Sequence, residues 1–231
     1  MTTTRFINGV TNVTKQNVLG QYKNLDPSIN HELFDDFDTY NAADWTVTTV
    51  GTSTEALANE DGGVLALTNS AADDDSVFLQ KASASFLMEL GKKTFFKARF
   101  KLLDATESDA VIGLQITDAT PLDVTDGVFF RKDDGDANLD FVVEKDDTAT
   151  EATAITTLEN DTYITVGFAF DGKEKIEYFA GANSKNPTRL GQVTIENLPD
   201  DEVLTVSFGV SSTSGTSVSV GEKSLPSIGN E

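Results

Sequence analysis

Carboxylates are abundant in this sequence, which has 38 acidic and 17 basic residues. A glycoside hydrolase needs two carboxylates roughly 5 to 9 Å apart across a groove, a separation that acids two residues apart on one strand face can supply. Glu144, Asp146 and Asp147 follow a strand-like run, where acids are typical of a turn. We therefore expect no catalytic residue and no enzyme, and a polysaccharide hydrolase ranks third among the functions considered.

A second group of acids could bind calcium. Asp133, Asp134 and Asp136 lie in RKDDGDANLD, and Ca²⁺ takes oxygen ligands from loop carboxylates and carbonyls. The group does not match the glycine and glutamate positions of an EF-hand loop. A hairpin turn that is acidic because the whole chain is acidic is the favoured interpretation, and calcium binding is the alternative. We expect no cofactor.

Basic residues concentrate in the segment KKTFFKARFKLL, which begins at Lys92. Lys97, Arg99 and Lys101 alternate there with apolar residues, which predicts a strand with one buried and one positive face. We call these three residues the basic stripe and predict that they bind a partner. Acids on neighbouring strands could instead balance the basic stripe within the chain. Alternatively, it binds an acidic surface or the acid-rich face of another copy.

Composition excludes several functions. The chain has no cysteine, which removes disulfides and cysteine-based zinc sites, and its one histidine, His31, is predicted to lie at the surface. A net charge of -21 would repel nucleic acid. The sequence contains no run of about 18 apolar residues and no secretory signal pattern, so we expect synthesis in a cytoplasm and no membrane partner.

Residues 1–33 differ in character from the rest. Their net charge is +1, which leaves -22 for the remaining chain, and their apolar residues follow no regular period. We predict an extended N-terminal arm, residues 1–33, that packs against its own domain or a neighbouring subunit. The predicted partner-binding residues of the arm are Arg5, Phe6, Ile7, Val10, Val18, Leu19 and Tyr22.

From Phe34 onward, short runs alternate apolar and polar residues between turn signals, which predicts sheets that each have one solvated face. Asp171-Gly172 predicts a two-residue type I′ hairpin turn, and SASFLMELGKK is a weak helical candidate. We expect an all-β fold, an antiparallel β-sandwich of the jelly-roll kind over residues 34–220, followed by a flexible tail, residues 221–231. The predicted inward-facing residues are Ile112, Leu114, Ile116, Leu139, Phe141, Val143, Ile164, Val166, Phe168, Phe170, Leu204, Val206, Phe208 and Val210.

The segment FDDFDTYNAADWTV lies where the arm gives way to this pattern. We expect Phe34, Phe37 and Trp45 to anchor the first strands in the core. Asp35, Asp36 and Asp38, which lie between these aromatic residues, are predicted to face solvent or to form a turn.

The order of FDDFD, DWTV, DGGVLALTN, KKTFFKARFKLL, DGVFFRKDDGD and YITVGFAFDGKEKIEYFAGA resembles virion structural proteins of tailed bacteriophages that carry a concanavalin-like, laminin-G-type jelly roll. Within that group the sequence is most similar to head decoration proteins. The resemblance implies a capsid decoration or cement protein on the virion exterior, with the major capsid protein and neighbouring copies of itself as partners and a homo-oligomer as one option. The alternative is a carbohydrate-binding or tail-fibre, receptor-binding module with the same fold.

Overall fold

The protein is an antiparallel β-sandwich. The computed structural model describes residues 30–60, 63–70, 72, 74–212 and 217–221. In this part of the chain a short 3₁₀ helix, Ala42–Asp44, precedes fourteen strands. The strands are β1 (Trp45–Val50), β2 (Ser53–Ala58), β3 (Val64–Asn69), β4 (Asp75–Lys81), β5 (Thr94–Leu102), β6 (Ser108–Gln115), β7 (Gly127–Lys132), β8 (Asn138–Lys145), β9 (Thr148–Thr157), β10 (Ile164–Phe170), β11 (Lys175–Ala182), β12 (Thr188–Thr194), β13 (Thr205–Ser212) and β14 (Ser217–Gly221).

The strands form two sheets of seven among the described residues. Sheet 1 has the order β1-β4-β13-β6-β7-β8-β9, and sheet 2 has the order β12-β11-β10-β5-β14-β3-β2. Contacts between β9 and β12, β6 and β5, and β4 and β3 place the two sheets face to face. Strands β6–β9 therefore lie behind β5 and β10–β12. The predicted fold class, an all-β jelly-roll sandwich, is confirmed.

The predicted inward-facing residues form the core between the sheets. All of them are buried except Ile116, which packs against the core while partly exposed. The ring of Phe141 in sheet 1 lies 5.8 Å from that of Phe168 and 5.3 Å from that of Tyr178, both in sheet 2. Phe168 stacks on Phe96 of β5 with 5.1 Å between ring centroids. These aromatic contacts join the two sheets.

The outer face of sheet 1 is drier than predicted, because a second apolar cluster lies on it. Phe129 lies over Gly113 and Phe78 lies over Gly209, where an added Cβ would come within 2.5 Å and 2.4 Å of the phenylalanine. The prediction of one solvated face per sheet is therefore wrong for the middle of sheet 1. The buried members of the cluster are Phe78, Val111, Val124, Phe129 and Val142.

Residues 116–126 cover this outer cluster. The Gln80 side chain donates to the Ile116 carbonyl (3.0 Å) and accepts from the Asp118 amide (2.9 Å). Gln115 donates to the Pro121 carbonyl at 3.0 Å. Both glutamines are fully buried, so they hold the loop against sheet 1 and close much of its outer face.

The turns follow the predicted pairing but not the predicted geometry. Strands β10 and β11 pair as Asp171-Gly172 indicates, yet their loop has four residues and Asp171 does not have a positive φ. Instead, the Asp171 carboxylate accepts hydrogen bonds from the amides of Lys173 (2.9 Å) and Glu174 (3.0 Å). The two consecutive positive φ angles of a type I′ turn occur at Asp146 and Asp147, which confirms these acids as turn residues.

The helical interpretation of SASFLMELGKK is wrong. Phe86 forms a β-bridge with Leu204, and the segment continues into a turn at Gly91, where φ is +92°. The apolar side chains of Phe86 and Met88 are buried in the core. Their burial as extended chain, rather than as one face of a helix, explains the misleading spacing.

The chain joins the sandwich before Phe34. The His31 ring is exposed at its edge, as predicted, but it lies 4.7 Å from the ring of Phe86 and is hydrogen-bonded to the Ser85 hydroxyl at 2.9 Å. Leu33 packs against the core. The contacts of the sandwich domain therefore begin a few residues ahead of the predicted boundary.

Phe37 and Trp45 anchor the entry segment, as predicted. Phe37 is buried, and its ring lies 6.3 Å from that of Trp45 and 6.0 Å from that of Phe208 in β13. The Asp35 carboxylate accepts the Phe37 amide at 2.9 Å, so this acid shapes the turn that points Phe37 inward. Phe34 does not anchor the core, because 55 % of its surface is exposed.

At the other end of the chain, β14 lies between β3 and β5 in sheet 2. The arm up to residue 29 and the tail from residue 222 lie outside the described residues. Within the described chain, no helix has the length and apolar character to span a membrane.

The burial of Phe37 predicts a large effect on stability. Phe37→Ala should lower the free energy of unfolding by about 3 to 5 kcal/mol, because it leaves a cavity beside Trp45 and Phe208. Phe34→Ala is the matched control and should change it by less than about 0.5 kcal/mol. Urea denaturation followed by tryptophan fluorescence measures both, and equal effects would contradict the assignment of the anchor to Phe37.

Candidate functional site around the basic stripe

The basic stripe lies on the outer face of sheet 2. Lys97, Arg99 and Lys101 are partly exposed on β5, whereas the alternating residues of the strand are buried. On the neighbouring strand β10, Thr165 lies opposite Arg99 and Gly167 lies opposite Lys97. These small residues on β10 leave room beside the long side chains of the basic stripe.

Lys101 is held by two carboxylates. Its ammonium lies 2.8 Å from Asp161 and 3.2 Å from Glu60, and 12 % of the side chain is exposed. The hydrogen bond to Asp161, followed by that to Glu60, raises the pKa of Lys101. Tyr163 completes the arrangement by donating its hydroxyl to Glu60 at 2.8 Å. This geometry favours internal charge balance as the role of Lys101.

Arg99 and Lys97 make contacts of a different kind. The Arg99 guanidinium lies over the ring of Tyr163, 4.1 Å from its centroid, in a cation–π arrangement. Lys97 donates to the backbone carbonyl of Lys185 at 2.6 Å. An aromatic ring and a backbone carbonyl therefore orient these two members of the basic stripe.

Further basic residues extend this face across sheet 2. Arg189 of β12 and Lys175 of β11 both bind the Glu177 carboxylate, at 2.9 Å and 3.0 Å. Arg189 also donates to the Gln192 side chain at 2.7 Å. One acid on this face thus serves two bases.

The calcium candidates lie in the turn between β7 and β8, where each has a protein partner. Asp133 pairs with Arg131 at 3.1 Å, and Asp136 accepts the Asn138 amide at 2.6 Å. The Asp134 amide donates to the Asp109 carboxylate at 2.8 Å. Over the described residues, no group of three or more histidines or acids is placed to hold a metal ion. The acids therefore act as turn and ion-pair residues in this structure.

Lys132 is the residue that the sequence reasoning overlooked. It is fully buried at an inward-facing position of β7, and its ammonium donates to the carbonyls of Thr106 (2.8 Å) and Ser108. The alternation Val128, Phe130, Lys132 places it in the core. A lysine in register with apolar core residues, followed at once by acids, is the signal that could have found it.

Charge and burial oppose each other at Lys132. Burial lowers the pKa of its ammonium, while the nearby carboxylates of Asp134, Asp109 and Asp136 act in the opposite direction. Burial also raises the pKa of Asp109. Lys132 thus supplies a cation from within the chain at the place where the loops 103–108 and 133–137 bring acids together.

The predicted partner-binding residues of the arm, from Arg5 to Tyr22, lie outside the described residues. The structure brings the basic stripe together on one face of sheet 2, and it places the calcium candidates in the turn between β7 and β8 of sheet 1. Tyr163, Glu60 and Asp161 join the basic stripe from other parts of the chain.

Comparison with known proteins gives a match in fold. No protein-family model matches the chain, and no curated protein matches it in sequence. Among solved structures, a protein of unknown function from Shewanella oneidensis MR-1 is 15 % identical with a TM-score of 0.56, over 84 % of this chain and 87 % of that chain.

Two further solved structures are those of a glucanase and a lectin. An endo-1,3-β-glucanase from Streptomyces sioyaensis is 12 % identical with a TM-score of 0.57, over 89 % of this chain and 98 % of that chain. Peanut lectin is 12 % identical with a TM-score of 0.51, over 87 % of this chain and 97 % of that chain. At these identities the likeness concerns the fold, which is a concanavalin-like jelly-roll β-sandwich.

The position of Lys132 predicts a strong dependence of stability on its ammonium. Lys132→Met should lower the free energy of unfolding by about 2 to 4 kcal/mol, because two buried carbonyls lose their donor and the adjacent acids lose their cation. Lys173→Met, at an exposed lysine, is the control and should be close to neutral. Chemical denaturation at neutral pH measures both. A Lys132→Met protein as stable as the wild type would show that the buried cation is dispensable.

Proposed function

We propose that the chain is a non-enzymatic structural protein of a tailed-bacteriophage virion, a decoration protein that binds the assembled head and stabilises it. In this proposal residues 1–33 attach the protein to the capsid and the sandwich projects from it. The observation that carries the proposal is that the segment directly after the arm is packed firmly against the sandwich. His31 binds residues 85–86, between β4 and β5, and Phe37 and Trp45 pack against sheet 1, so residues 31–45 are held to the sandwich.

This fastening suits an attachment role. Phe37 and Trp45 pack against Phe208 of β13, which lies inside sheet 1 with strands on both sides. Force on the arm is therefore transmitted to a central strand through two aromatic side chains. Removing such a side chain from the core costs several kcal/mol of folding free energy. A flexible linker between the arm and the sandwich would not need these contacts with the core.

Charge also separates the arm from the sandwich. Residues 1–33 have a net charge of +1 against -22 for the rest. A strongly acidic body keeps many copies soluble and apart from one another, while a weakly basic, apolar arm is free of that repulsion. Binding only to assembled capsid would stabilise the assembled state by mass action.

Deletion of residues 1–29 tests the proposal. We expect the shortened protein to keep its melting temperature and to lose its occupancy on purified heads, because the arm carries the attachment and the sandwich carries the stability. Deletion of residues 222–231 is the control and should leave occupancy unchanged. Cosedimentation with heads that lack the protein measures occupancy, and full occupancy without the arm would refute the proposal.

Carbohydrate binding is the second candidate, and the fold shared with peanut lectin favours it. In that case the sandwich itself, as a carbohydrate-binding, tail-fibre or receptor-binding module, would hold the ligand and the arm would be dispensable for binding. Since one fold hosts many functions, this support is an analogy.

A glycan array probed with the full chain, with calcium and with chelator, separates the two candidates. The decoration proposal predicts no glycan signal above that of an acidic control protein in either buffer. A signal that depends on glycan structure and survives deletion of residues 1–29 would favour the carbohydrate-binding module.

A further inference from the structure

A small apolar cluster lies on the outer face of sheet 2, outside the core. It consists of Phe95 of β5, Ala169 of β10 and Phe179 of β11, and we call it the sheet 2 cluster. Phe95 lies directly opposite Ala169, and the next residues along these strands, such as Phe96 and Phe168, belong to the core. The sheet 2 cluster is therefore separate from the contacts that join the two sheets.

Two members of the sheet 2 cluster are almost fully covered although they face outward. Ala169 is 5 % exposed and Phe179 is 4 % exposed. Among the buried and partly buried apolar side chains of the described chain, Phe95 alone packs against them. Phe179 has Gly167 opposite it on β10 and Arg189 opposite it on β12. The described residues thus supply little apolar cover for this cluster.

On sheet 1 a comparable outer cluster is covered by a loop. Residues 116–126 lie over it and add apolar side chains. On sheet 2 the loop 183–187 lies over Gly181, where an added Cβ would be 3.2 Å from the backbone of Pro187. Gly181 pairs with β10 four residues before Ala169, so this loop covers a different part of the sheet. The cover of the sheet 2 cluster must therefore come from another segment.

The N-terminal arm joins the sandwich through the connection that leads into β5. Asn30 is buried, and His31 contacts Ser85 and Phe86 of that connection. Phe95 follows nine residues after Phe86, as the second residue of β5. The arm therefore meets the sandwich close to the strand that holds part of the sheet 2 cluster.

We propose that the N-terminal arm of each copy packs across the outer face of sheet 2 of the same copy, with its apolar side chains on Phe95, Ala169 and Phe179. Tyr22 lies eight residues before Asn30, and a stretch of this length spans up to about 28 Å when extended. The apolar residues of the arm can therefore reach the sheet 2 cluster. The contact belongs to the free protein and does not depend on capsid binding.

The arm suits this surface better than the C-terminal tail does. The apolar residues of the tail are Leu225, Pro226 and Ile228, whereas the arm has aliphatic and aromatic residues along its whole length. A chain with a net charge of -21 stays soluble through charge repulsion, but its weakly basic, apolar arm lacks that protection. Packing the arm on its own sandwich removes an exposed apolar surface of the kind that associates without specificity.

This contact should change the accessibility of the arm more than the stability of the fold. Ordering a segment costs conformational entropy, which offsets much of what its apolar contacts contribute. Local contacts of this kind open without global unfolding, so loss of the arm should leave the melting temperature nearly unchanged. If the arm also attaches the protein to a head, docking on sheet 2 competes with attachment, and this consequence alone rests on the proposed function.

Limited digestion with trypsin tests the proposal on the full chain. Trypsin can cleave the arm after Arg5, Lys15 and Lys23, and the tail after Lys223. Phe95→Ala should raise the rate of cleavage after Lys23 about tenfold, since proteolysis follows the population of the open form. Cleavage after Lys223 and the melting temperature should stay nearly the same. Mass spectrometry of samples taken at successive times measures the rate at each site.

Val50→Ala is the matched control, because Val50 is an exposed apolar residue on β1, at the edge of the other sheet. It should leave every cleavage rate unchanged. Equal rates after Lys15 and Lys23 in Phe95→Ala and in the wild type would overturn the proposal. Faster cleavage after Lys223 alone would also overturn it, because the cover would then be the tail.

Photo-crosslinking provides a second measurement that does not depend on a destabilising variant. Benzoylphenylalanine in place of Phe95, irradiated in a mixture of ordinary and isotope-labelled protein, should join position 95 to the arm within one isotopic form. Crosslinks to residues 222–231, or crosslinks between the two isotopic forms, would contradict docking of the arm on its own sandwich. The same group in place of Val50 is the control and should give no crosslink to the arm.

Discussion

The contact between Phe141 in sheet 1 and Phe168 and Tyr178 in sheet 2 is the interaction on which the rest of the structure depends. Phe130 and Phe96 extend it on either side. Because side chains alternate along a strand, these inward residues fix which residues of β5, β7, β8 and β10 face outward. A shift of one residue would bury Lys97 and Arg99, so the basic stripe is displayed because the core forms in this register.

The outer faces of the two sheets differ in how much apolar surface they bury. Sheet 1 has glycines at positions 113 and 209, where an added Cβ would collide with Phe129 and Phe78. Leu122 and Val124 of the covering loop complete an apolar layer there, so much of this face is used for stability. Sheet 2 has a smaller outer cluster, Phe95, Ala169 and Phe179, and beside it the charged side chains of β5, β11 and β12. The surface available for partners is therefore unequal on the two sides.

The sequence could predict the sandwich and its inner faces, because alternation at Phe141 or Val166 reports directly on a buried strand face. Phe78 and Phe129 escaped prediction because their burial depends on glycines in neighbouring strands and on a loop that returns over the sheet. The basic stripe could be predicted from its run of basic residues. Its acidic partners could not, because Glu60 and Asp161 lie 41 and 60 residues from Lys101 in the chain. Pairing across such distances is decided by topology, which single-sequence patterns do not report.

Folding alone does not require a positive stripe on β5. Strand β9 holds an exposed position at the edge of sheet 1 with threonine and alanine at most positions, so uncharged side chains are sufficient on this scaffold. Three cations spaced by two residues repel one another, and the chain offsets that repulsion with the Tyr163 ring and the carboxylates of Glu60 and Asp161. Three side chains from separate parts of the sequence thus offset a repulsion that would otherwise destabilise the strand. Contacts within the chain therefore account for how the fold tolerates the basic stripe, and its binding of a partner stays a prediction.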